Sequence, residues 1–63
     1  MTAIDLIVEL NEVIELTPEM QAQILTLNQE QIDEIAEQLI IETSPAKLVR
    51  WLIKKLKEYS QPS

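Results

Sequence analysis

Leu27-Asn28-Gln29-Glu30-Gln31-Ile32-Asp33-Glu34-Ile35-Ala36-Glu37-Gln38-Leu39-Ile40 is the stretch on which the fold turns. Its apolar residues Ile32, Ile35, Ala36, Leu39 and Ile40 fall at i, i+3, i+4, i+7 and i+8, the stripe that an amphipathic helix buries. Acidic and amide side chains fill the other face. Asn28 is placed to accept a backbone N–H at the helix start, and Gln31 is placed to reach back as its capping-box partner. A helix is expected over 29–42, and the other apolar segments read as helices that cover its stripe.

Upstream, Ala3, Leu6, Ile7, Leu10, Val13 and Ile14 make a second stripe, with Thr2 as its N-cap, so a helix is expected over 3–16. Ile4 and Val8 widen this stripe beyond what one helix of a small domain uses. Two readings stay open: all of it is internal core, or Ile4 and Val8 face a second copy of the chain. Thr17-Pro18 is a restart signal, because Thr caps and the missing N–H of Pro costs nothing in a first helical turn. A short helix over 18–26 follows, with Met20, Ile24 and Leu27 on its inner edge. Thr43-Ser44-Pro45 repeats the device and opens a last helix over 45–59, whose apolar face is Leu48, Val49, Leu52, Ile53 and Leu56. Trp51 and Tyr59 lie at its margins. Trp51 either closes the core with its indole N–H at the surface or anchors a partner interface. The expectation is an all-α bundle of three longer helices and one short one, in a single domain over 1–59 with a frayed tail over 60–63.

The totals limit the chemistry. Sixty-three residues make at most one domain, and a chain this short buries only about 60% of its unfolded surface. It has no Cys, no His and no Gly. Disulfides, thiolate ligands, imidazole bases and Gly-rich phosphate loops are therefore closed to it. Stability has to come from helix packing or from association. A metal site could use only carboxylates, and the pairs Asp33/Glu37 and Glu30/Glu34 read more simply as a solvated helix face. No enzyme activity and no cofactor are expected. The apolar runs are far shorter than the ~20 residues that cross a bilayer, and no basic segment precedes Ala3-Ile4, so neither a span nor a signal peptide is expected. A reducing, cytoplasmic setting suits a chain without Cys.

The net charge of −6 hides a division. Residues 1–43 carry ten acids and no base, whereas residues 44–63 carry Lys47, Arg50, Lys54, Lys55 and Lys57 against the single acid Glu58. Two such halves attract one another, within one molecule or between copies. The acids of the 29–42 helix would repel phosphates, which argues against that helix entering a DNA groove. The five bases of the last helix leave an alternative, nucleic-acid contact through that helix, as does its basic, Trp-containing amphipathic pattern for a membrane surface. The need to cover a core weighs against the membrane reading.

Leu27, Glu30, Gln31, Ile32, Ile35, Glu37, Leu39, Ile40, Ser44, Leu48, Trp51 and Leu52 also align without a gap on a known pattern. The pattern runs Leu-Ser-x-Glu-Gln-Leu, Leu-x-Glu-x-Leu-Leu, Ser, then Leu-x-x-Trp-Leu. Residues 20–52 thus resemble a small helical domain of unknown function found at the C-terminus of many cyanobacterial proteins of the transposase-like, restriction-endonuclease-fold group. Asn28 replaces the usual capping Ser, and Glu42 stands where that family has Phe. The resemblance implies a helical accessory module and brings no catalytic residues with it. Taken together, the expected function is a protein-interaction or oligomerisation module. Its partner would be itself, as a homo-oligomer, or another protein, with Ile4, Val8 and Trp51 as the contact residues.

Overall fold

The structure, a computed structural model, describes residues 1–61. These form four α-helices and no strand: α1 (Ala3–Val13), α2 (Pro18–Leu25), α3 (Gln29–Ile41) and α4 (Pro45–Ser60). Three starts follow from the caps read in the sequence. Thr2 Oγ1 accepts from the Asp5 N–H at 3.1 Å. Thr17 Oγ1 accepts from the Met20 N–H at 3.2 Å. Asn28 Oδ1 accepts from the Gln31 N–H at 2.9 Å, while Gln31 Oε1 accepts from the Asn28 N–H at 3.1 Å. Each pairing satisfies donors that a helix leaves unpaired in its first turn.

The fourth start differs. Ser44 occupies the N-cap of α4, but its side chain makes no capping bond. Instead the Glu42 carboxylate accepts from the Ser44 N–H at 3.0 Å and holds the three-residue connector from α3. Glu42 thereby ties the turn with a hydrogen bond. Of the 60–63 tail, Ser60 ends α4 and Gln61 is its C-cap; Pro62 and Ser63 lie outside the described residues.

α1 ends at Val13, three residues before the expected Leu16. Ile14 is extended, with φ −135° and ψ 166°. Continued as a helix, the chain would turn Leu16 about 120° away from Leu10 and out of the core. In an extended segment alternate residues share a side, so Ile14 and Leu16 are both buried and Glu15 is exposed. Asn11 Oδ1 accepts from the Leu16 N–H at 3.4 Å, and Gln21 Nε2 donates to the Leu16 carbonyl at 3.3 Å, which pins this connector.

The principal helix contacts close a ring: α1 packs on α2 and α3, and α4 packs on the same two helices. Leu6 and Leu10 of α1, Ile24 of α2, Ile32 and Ile35 of α3, and Leu48, Leu52 and Leu56 of α4 fill its centre with Ile14 and Leu16. The radius of gyration is 10.6 Å, against about 11 Å for a compact chain of this length. The bundle is therefore fully collapsed, and an aliphatic residue left outside is outside by geometry. Ile40 is such a residue. It is 82% exposed, although it ends the stripe from which the fold was read. Ile35 lies at the centre of the buried face, and Ile40 sits five residues on, about 140° round the helix.

Candidate interaction surface

The outer side of α1 carries Ile4 and Val8 one turn apart, 65% and 55% exposed. Met1 precedes them and is also exposed. Val8 shares a shallow depression with Met1, Asp5, Glu9 and Glu12, so an aliphatic strip runs between acids. The strip is held at its upper end. Gln29 Nε2, at the start of α3, donates to the Met1 carbonyl at 2.9 Å and to Asp33 Oδ1 at 2.9 Å. The capping box between Thr2 and Asp5 fixes the first turn just below.

Trp51 lies elsewhere. It is half-buried against the core and borders a groove with Lys54, Lys55 and Glu58. Ile4 and Val8 are thus brought together, while Trp51 belongs to a separate surface on α4.

The five bases of α4 divide in two. Lys47, Arg50, Lys54 and Lys57 follow helical spacing on the side opposite Leu48, Leu52 and Leu56. All four are exposed and make no ion pair among the described residues. Lys55 is the exception. Its Nζ lies 2.6 Å from Glu34 of α3 and 3.5 Å from Glu58, and 5.7 Å from the centre of the Tyr59 ring. The hydrogen bond from Lys55 holds the Glu34 carboxyl below its ordinary pKa, and the same bond raises that of Lys55. Burial, followed by the Glu34 charge, raises that of Tyr59. The Tyr59 hydroxyl is buried and close to the Glu34 carboxylate, a proximity that contributes to the shifts of both groups, but it makes no hydrogen bond of good geometry among the described residues. Lys55 therefore serves the α3–α4 seam, and among the described residues the charge attraction between the two halves is realised as an ion pair only there.

Val13 of α1 and Ile53 of α4, both read into buried stripes, are exposed, and so are two residues at the end of α3. Ile40 and Ile41 straddle the outer side of α3, where Ile41 is 63% exposed. A wheel centred on Ile35 places both outside; a stripe counted forward from Ile32 does not. Among the described residues no group of three or more acids is arranged to hold a metal ion, and no helix is long and apolar enough to cross a membrane. On α4, Leu48, Leu52 and Leu56 are committed to the core with Val49 packed against it, whereas Ile53, read into the same apolar face, is 42% exposed. Comparison with protein-family models, curated proteins and solved structures finds no match.

Proposed function

We propose that this chain is a non-catalytic interaction module that associates with a second copy of itself through the outer face of α1, with the Trp51 margin of α4 as a further contact. The observation that carries the reading is the pair Ile4 and Val8. Both stand exposed, one turn apart, on a bundle whose core is complete without them. Moving an aliphatic side chain of this size out of water is worth about 1.5–3 kcal/mol. An isologous contact uses each residue twice, which multiplies the gain across a two-fold axis. The bundle itself is read as three longer helices braced by the short α2, and the resemblance to an accessory helical domain fits the same role.

Nucleic acid, the alternative ligand of α4, would approach a molecule of net charge −6, so it takes second place.

Sedimentation at increasing concentration tests the proposal. In about 1 M salt, where contacts between charges are screened, the wild type should move from monomer towards dimer, and the double variant Ile4→Glu with Val8→Glu should remain monomeric at unchanged helix content. A wild type that sediments as a monomer at millimolar concentration in that salt would refute it.

A further inference from the structure

The charged faces of α3 and α4 fit one another, between molecules rather than within one. Glu30, Asp33 and Glu37 step along the outer side of α3 by three and four residues. Arg50, Lys54 and Lys57 step along the outer side of α4 by four and three. Laid antiparallel, the two faces set Glu37 opposite Arg50, Asp33 opposite Lys54 and Glu30 opposite Lys57. All six are exposed, and none is in an ion pair among the described residues. They cannot meet inside one molecule, because α3 and α4 already meet along their inner sides, where Lys55 bonds Glu34.

We infer that a second copy of this chain docks here, with α4 of each molecule lying across α3 of the other. The topology suits this arrangement. α3 and α4 are neighbours in the ring, and their three-residue connector and the Lys55–Glu34 bond make them antiparallel. A two-fold axis parallel to this helix pair places α4 over the partner's α3, again antiparallel, and repeats the three pairs at a second crossing. Ile40 and Ile41 flank the turn of Glu37 and become covered at the rim, which gives the contact apolar area as well as charge.

The occupant follows from charge. Ten acids and no base in residues 1–43, against five bases and one acid in 44–63, make the chain complementary to itself. A polyanion would meet the cations of α4 only against the field of the acids. The inference goes beyond the α1 reading: the partner is the same, and the surface is different.

The test is the mass of the whole chain against salt. The Debye length falls from about 10 Å at about 0.1 M to about 3 Å at about 1 M salt. Three exposed pairs at each of two crossings should weaken the dimer at least about tenfold over that range. Arg50→Glu with Lys54→Glu should abolish the salt-sensitive part of the low-salt association. Adding Glu37→Arg and Asp33→Lys to that variant should restore it, which a merely structural effect would not do. Ile4→Glu with Val8→Glu should leave this salt-sensitive dimer in place, so failure of the α1 reading and failure of this one are distinguishable. Any of three results would overturn the inference: a monomer at low salt and millimolar concentration, charge swapping without rescue, or an oligonucleotide bound on α4 by a chain that stays monomeric.

Discussion

Replacing Tyr59 by Phe should make this protein more stable. The Tyr59 ring packs against the core from the last turns of α4, and its hydroxyl is buried with no hydrogen-bond partner among the described residues. A buried polar group without a partner costs about 1–3 kcal/mol. The ring lies at the half-exposed edge of the bundle, so the lower end, about 1 kcal/mol, is expected from removing the hydroxyl alone. For a domain of this size that shifts the thermal midpoint upward by about 4–8 °C. The contact of Lys55 with the ring face survives the change, because Phe offers the same face. Thermal melts by circular dichroism at neutral pH read the shift directly. A second arm uses alkali. Burial raises the Tyr59 pKa above its ordinary 10.0, so the folded state keeps the proton after the unfolded chain has released it. That contribution is complete below the ordinary value and is lost as the pH climbs through the raised one. The Lys55 contribution, raised chiefly by the Glu34 hydrogen bond, is lost in the same direction, and only the smaller part that comes from Tyr59 is absent from the variant. The advantage of the variant should therefore widen above about pH 10. A midpoint that falls by several degrees in Tyr59→Phe would refute the reasoning, since it would mean that the hydroxyl donates to an acceptor such as the Glu34 carboxylate.

Ile35→Ala should cost about 2–5 kcal/mol, against a total near 3–9 for a chain of this length, and leave the protein largely unfolded in mild urea. Ile40→Ala, equally aliphatic and in the same helix, should change stability by less than about 0.5 kcal/mol, because Ile40 is solvated. Equal losses in urea titrations of the two variants would contradict the packing. The Glu34 carboxyl is held below its ordinary value by Lys55, so its contribution is whole above the usual carboxylate range and declines as the pH falls through the lowered value. Glu34→Gln should flatten that acid limb in melts followed between neutral pH and about pH 3, and an unchanged limb would show that the pair contributes nothing.

What the sequence disclosed and what it hid divide along physical lines. Asn28, Gln31, Thr2 and Thr17 were legible because capping is a local exchange between residues three apart. The end of α1 was hidden because helix and extended chain both bury Ile14, and only the competition for Leu16 decides between them. The alternation of Ile14 and Leu16 about Glu15 was the available signal. Ser44 misled because its hydroxyl leaves the first-turn N–H groups of α4 uncapped, while the Glu42 carboxylate two residues earlier accepts from the backbone N–H of Ser44 itself. Ile40 misled because 3.6 residues per turn carries an i+8 position about 80° past its starting residue. The charge division was plain in the sequence. Its consequence, one bridge at Lys55 and four cations left outward, depended on which side of α4 the core would claim.

The two surfaces left over are chemically different, and that difference separates them experimentally. The α1 strip is aliphatic, and association through it would strengthen when salts are excluded from apolar surface. The α3–α4 faces are ionic, and association through them would weaken as the same salt screens them. A fall in dimer mass followed by a rise, as salt increases, would require both surfaces, because neither alone changes sign. A chain of 63 residues without Cys or Gly has few other means of adding to its stability. Aliphatic side chains at Ile4, Val8, Ile40 and Ile41 each forgo the gain of burial while the molecule is single. A second copy would recover that gain by the same burial of apolar area that forms the core.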